Sequence, residues 1–136
     1  MNLAAIARKG TQIAARVRKA PVRESDIQAA IIAYLAAVAP GVLVWAVPNA
    51  ARRNAGGRAG NAVPGLRKGV YDLSLVLPDG RFAAIEVKTD TGIPSEAQMD
   101  FERELGFRNV PTCLARSIDD VRAFLSSIGI ETREAA

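Results

Sequence analysis

Asp72, Glu86 and Lys88 are the residues of this sequence whose types and spacing could do chemistry. They lie in one stretch, VYDLSLVLPDGRFAAIEVK, from Val70 to Lys88. Two carboxylates and an amine at close quarters could hold a hard divalent cation and stabilise developing charge beside it. Whether they meet depends on one turn. Pro78 presets φ for the first corner of a type I turn, Asp79 suits the second, and Gly80 can take φ > 0 after them. That is a three-residue hairpin loop with a Gly bulge. It pairs Leu77 with Arg81, and therefore Asp72 with Glu86 and Val70 with Lys88. A two-residue turn would slip the register by one and send the two acids to opposite faces.

The element that positions these groups is thus a hairpin with two unlike faces. Tyr71, Leu73, Leu75, Leu77, Ala83, Ile85 and Val87 alternate onto one side and read as core. Asp72, Ser74, Val76, Phe82, Ala84, Glu86 and Lys88 fall on the other. Directly opposed acids repel each other, and their Cβ atoms lie roughly 5 Å apart. Spacing alone leaves three readings open. A divalent cation could bridge the pair, Lys88 could serve as a plain salt-bridge partner, or the face could be solvated and of mixed charge. The last is the plainest.

Composition narrows the chemistry. The chain has 136 residues, a length suited to one domain with one core, and it contains one cysteine and no histidine. An intrachain disulfide, a zinc site of the usual kind and a histidine-based triad are excluded. Cys113, in VPTCLAR, reads as a small buried hydrophobe. Any metal must be held by oxygens, which points to Mg²⁺ or Mn²⁺.

Charge is uneven along the chain. The net charge is +4, yet residues 1–71 carry eleven Lys and Arg against only Glu24 and Asp26, and residues 72–136 carry seven against twelve acids. A genome rich in alanine and arginine would raise arginine but would not by itself keep acids out of half the chain. The asymmetry points to a polyanionic partner, nucleic acid or an anionic membrane surface. Ala29 to Val47 has no charge, but Pro40-Gly41 divides it, so a membrane-spanning helix is not expected. No secretory signal is evident, and a soluble cytoplasmic protein is expected.

Three parts follow along the chain. Residues 1–20 form a basic arm, residues 21–127 a folded domain, and residues 128–136 a C-terminal tail. A helix is expected from Pro21 to Ala39, with Ile27, Ile31, Tyr34, Leu35 and Val38 as its inner stripe. Glu24 would sit on that stripe in the first turn, unless Ser25 and Gln28 form a capping box and start the helix later. A strand over 42–47 precedes a long loop, 48–69, that carries Arg52, Arg53, Arg58, Arg67 and Lys68 among five glycines. The loop reads either as a disordered linker or as a basic flap over phosphates. It lacks GxxxxGK[ST], so it is no nucleotide P-loop. After the hairpin, Ser95 caps a helix and Gln98 completes an S-x-x-Q box. A strand over 110–115 and a helix over 117–127, capped by Ser117, close the domain. The order is helix, three strands, helix, strand, helix, which predicts an α/β fold with a mixed central β-sheet flanked by helices.

In that order, Glu24 on the first helix, a basic loop, GVYD, IEVK and a helix opening with Gln98 resemble the PD-(D/E)XK nuclease superfamily. Within it they are most similar to the VRR-NUC domain (virus-type replication-repair nuclease), whose central block looks like KGVYDLSLVLPDGRFAAIEVKTDTGIPSEAQ almost throughout. The likeness covers roughly residues 22–126 and departs from the family where Tyr71 stands in place of a common proline. It implies a restriction-endonuclease-like core and Mg²⁺- or Mn²⁺-dependent hydrolysis of DNA phosphodiesters. By matching positions, Asp72 and Glu86 would hold the metal with the Val87 carbonyl, and Glu24 would join through water or a second ion. Lys88 would orient the attacking water or stabilise charge, and Gln98 would position Lys88. The resemblance further implies a stand-alone homodimeric nuclease of bacterial or phage type, acting on branched DNA such as Holliday junctions in replication, repair or recombination. Leu3, Ile6, Ile13 and the FLSSIGI segment with Ile128 and Ile130 offer apolar surface for pairing, unless they cover the domain's own core.

Two other classes compete. Opposed carboxylates about 5 Å apart also suit a retaining glycosidase, but Lys88 beside Glu86, only seven aromatics and a basic loop speak against it. A non-catalytic DNA-binding module would explain the basic half, but not two opposed acids near phosphates.

Overall fold

The computed structural model describes residues 21–48 and 63–134. The N-terminal arm and the loop arginines Arg52, Arg53 and Arg58 lie outside the described residues. The elements are α1 (Glu24–Val38), β1 (Leu43–Ala46), β2 (Leu73–Val76), β3 (Phe82–Val87), α2 (Glu96–Phe107), β4 (Thr112–Ala115) and α3 (Ile118–Ser127). This is the expected order. The four strands form one sheet in the order β1-β2-β3-β4. β1 pairs with β2 and β2 with β3 in antiparallel fashion, whereas β3 and β4 run parallel across the α2 crossover.

The turn sets the register as its chemistry predicts. Leu73 pairs with Ile85 and Val76 with Phe82. The Leu77 amide bonds the Arg81 carbonyl at 2.8 Å, the Gly80 amide bonds the Leu77 carbonyl at 2.9 Å, and Gly80 has φ +88°. Leu73, Leu75, Leu77, Ala83, Ile85 and Val87 consequently face one way, against Ile31, Leu35, Val38, Val121, Phe124 and Leu125 of α1 and α3. Ile27 and Tyr34 flank that core, as the inner stripe requires. Tyr71 is buried as expected, but its ring packs against Phe101 of α2, tilted by 58° with centroids 5.5 Å apart.

Three expectations are corrected. α1 starts at Glu24 with Arg23 as its N-cap, so the Ser25–Gln28 box is not used. Asp26, at the third helical position, takes over by accepting the Arg23 amide at 3.3 Å. Asp72, Ser74, Ala84 and Glu86 do not line a solvated face, because Ser74, Ala84 and Glu86 are buried. Ile128 and Ile130 pack against the domain's own core rather than offering a free surface. The tail that follows is docked, with the Arg133 amide on the Val38 carbonyl at 2.7 Å and Glu134 gripped by Arg122 and Tyr34. No helix of the described residues is long and apolar enough to cross a membrane.

Candidate active site at the open end of the hairpin

The hairpin register brings Asp72 and Glu86 together where β2 and β3 diverge from their turn. Each carboxylate accepts a backbone amide from the opposite strand. The Val87 amide bonds Asp72 Oδ2 at 2.8 Å, and the Asp72 amide bonds Glu86 Oε2 at 3.2 Å. These crossed bonds lock both side chains against the strand ends. They also spare lone pairs, since an ionised carboxylate offers about four acceptor positions.

Glu86 is only 1% exposed. Burial, and then the facing charge of Asp72, push its carboxyl up to about 7, with Lys88 acting in the opposite sense. A buried acid facing a second acid is costly unless positive charge reaches it. Lys88 supplies part of that charge. Its ammonium lies 3.4 Å from Glu86 Oε1 and 3.9 Å from Glu24 Oε1, with its side chain only 11% exposed. Glu24, on the first turn of α1, therefore reaches the site through Lys88.

Gln98 serves two structures at once. Its Oε1 accepts the Ser95 amide at 2.9 Å, and the Ser95 hydroxyl accepts the Gln98 amide at 3.1 Å, completing the expected capping box. With Oε1 committed to the cap, the Nε2 group points to Glu86 Oε1, 2.5 Å away. Gln98 thus bonds Glu86 and meets Lys88 at a shared oxygen.

A cleft of about 340 Å³ opens here, lined by Val47, Lys68, Asp72, Lys88, Ile93 and Gln98 among others. Lys68 is brought to its wall by Gly69. A Cβ on Gly69 would fall 2.3 Å from the Ala97 carbonyl and 2.7 Å from the Gln98 nitrogen, and φ there is +80°. Only glycine lets this chain segment lie on the start of α2. Arg67 turns instead onto Phe101, its guanidinium 5.6 Å from the ring centroid.

The donor set suits a hard cation. Two carboxylates whose charges oppose each other, one of them buried, gain from a divalent ion with oxygen preference. Among the described residues no cluster of three or more acidic, Cys or His side chains could share one ion. Glu24 is therefore not a third direct ligand in this arrangement. Cys113 is buried and its thiol is pushed up to about 12 by that burial, which leaves it inert as the sequence suggests.

Sequence reasoning missed Arg116. Its guanidinium bonds the Thr89 carbonyl and, at 2.8 Å, the Gly92 carbonyl. It fixes the turn that carries the chain from Lys88 towards α2. Its partners are backbone carbonyls more than twenty positions away, so no local motif signals it.

No protein-family model matches the sequence, and no curated protein matches it. The fold is similar to that of a solved VRR_NUC domain, with a TM-score of 0.55 at 19% identity, over 78% of this chain and 97% of that one. The chain has a restriction-endonuclease-like α/β fold.

Proposed function

We propose that this chain is a metal-dependent nuclease that hydrolyses DNA phosphodiester bonds at the Asp72–Glu86 pair. The observation that carries the reading is the buried Glu86 opposite Asp72, with Lys88 and Gln98 converging on its Oε1 beside a lysine-lined cleft. The fold likeness to a VRR_NUC domain and the resemblance of the Lys68–Gln98 block support it.

Asp72 and Glu86, with the Val87 carbonyl, would hold Mg²⁺ or Mn²⁺. When bound, such an ion lowers the pKa of a water and neutralises charge on the phosphate. The chain's own residues prepare the rest. The Val87 and Asp72 amides keep both carboxylates in fixed orientation. Gln98 pins Glu86 from the helix start. Lys88, nearly enclosed, stabilises negative charge developing on the phosphate oxygens in a place where water screens it little. Glu24 holds the Lys88 ammonium from the α1 side, 3.9 Å away.

Lys68 would contact a phosphate from the cleft wall, and Arg67 on Phe101, with Arg52, Arg53 and Arg58 of the same loop, would contact phosphates outside it. Binding should then weaken with salt, log K falling by about 0.9 per phosphate contact on duplex DNA. Lys68→Ala should make that slope shallower in an anisotropy titration. Clean resolution of a four-way junction needs two matched cuts, which a twofold homodimer would supply.

The test is cleavage of single-stranded, duplex, flap and four-way substrates with Mg²⁺, Mn²⁺ or EDTA. Cleavage that needs the metal and drops about 100-fold or more in Asp72→Asn and Glu86→Gln is expected. DNA binding without cleavage under every condition would leave a non-catalytic DNA-binding module.

A further inference from the structure

Trp45 is the single tryptophan of the chain, and it is 44% exposed on edge strand β1. Its place in the sheet is unusual for an incidental surface residue. Trp45 pairs directly with Ser74, and Ser74 stands two residues from Asp72 on the same face. One step further, the Val47 amide bonds the Asp72 carbonyl at 2.8 Å. Trp45 is thus the diagonal neighbour of Asp72, a separation of roughly 7–8 Å that an aromatic side chain spans. Val47, two positions on and on the same face, lines the cleft with Lys68, Asp72 and Lys88.

Resting on the nuclease reading above, we propose that Trp45 stacks on an unpaired base of the nucleotide next to the phosphate held in the cleft. The chemistry is complementary. The cleft offers Lys68 and Lys88 to a phosphate and Asp72, backed by the enclosed Glu86, to its metal, and the indole on the neighbouring strand offers a flat apolar face to the attached base. A base within a duplex is stacked on its neighbours and cannot meet that face, so the occupant is nucleic acid with an unpaired base at this position. Stacking on an aromatic is tolerant of base identity, which gives Trp45 a preference for strand state rather than sequence. Its strand position fixes the ring relative to Asp72 more firmly than a loop would.

Leu43 and Phe82, 62% and 36% exposed, continue the same face away from the site. They make a second copy of the chain the competing occupant, which the test must separate.

Because no other tryptophan is present, emission excited at the red edge of absorption, where the two tyrosines do not absorb, reports on Trp45 alone. The probe is an oligothymidylate titrated with Ca²⁺ in place of Mg²⁺, a hard cation that oxygens bind and that keeps the carboxylates neutralised, with binding followed in parallel by anisotropy of the labelled strand. Quenching that tracks the anisotropy rise is expected, with little quenching by a blunt duplex. Trp45→Ala should weaken oligothymidylate binding by about 5- to 150-fold, and Trp45→Phe should recover most of it. Anisotropy that rises with unchanged emission, or Trp45→Ala binding like wild type, would overturn the assignment while metal-dependent cleavage still upheld the nuclease. Absence of binding to any nucleic acid would remove both. A concentration-dependent emission shift without DNA, with the mass doubling by light scattering, would give the face to a second copy and overturn the stacking role.

Discussion

The two faces of the sheet use the same strands and alternate residues of the same hairpin, yet they solve different problems. On one, Leu73, Leu75, Ala83 and Ile85 meet α1 and α3 in a continuous apolar layer. On the other, burial is graded. Leu43 and Phe82 are open near the turn, Ser74 and Ala84 are covered in the middle with Trp45 half-open beside them on the edge strand, and Glu86 is enclosed at the far end beside Asp72. The first face gains from every side chain it buries. The second ends on a pair of acids, one of them buried, that costs stability in the absence of a cation. Proteins accept such local costs where function requires them.

The contrast can be broken most strongly on the covered face. Leu75→Ala should cost about 2–5 kcal/mol in chemical denaturation, because it empties a site with no solvent access. On the open face the largest effect should have the opposite sign. In metal-free protein, folded Glu86 keeps its proton up to about pH 7, whereas an unfolded glutamate loses it near 4.5. The folded state binds more protons in that window, so this contribution is complete below pH 4.5 and is lost as pH rises through 7. Glu86→Gln, neutral throughout, should flatten that decline and be more stable than wild type at pH 8 by about 1–3 kcal/mol. A wild-type denaturation midpoint that rises over the same window would contradict the burial of this charge pair. Leu43→Ala, at the exposed end, should stay within about 0.5 kcal/mol.

Much of this was legible in local sequence. Pro78-Asp79-Gly80 dictates the loop length, and loop length dictates that Asp72 faces Glu86. Alternation from Leu73 to Leu77 marks the core side, and Ser95 with Gln98 marks the start of α2. The limits were equally physical. Glu86 looked solvated because the sequence does not show what covers that face. Arg23 rather than Ser25 precedes α1 because Asp26 can return to the Arg23 amide. The docking of Glu134 depends on Tyr34, a hundred residues away, and that of Ile128 and Ile130 on the assembled core. Trp45 lies within the expected 42–47 strand, and only the β1–β2 register shows it to be diagonal to Asp72.

The central claim is that Asp72 and Glu86 jointly hold a divalent cation. Calorimetric titration of Mn²⁺ into the metal-free protein at pH 7.5 addresses it without relying on any DNA substrate. Wild type should bind Mn²⁺, and Asp72→Asn and Glu86→Gln should each lose more than about tenfold in affinity, since loss of even an outer-shell partner typically costs about 10- to 100-fold. Equal Mn²⁺ affinity in wild type and both variants would contradict the claim.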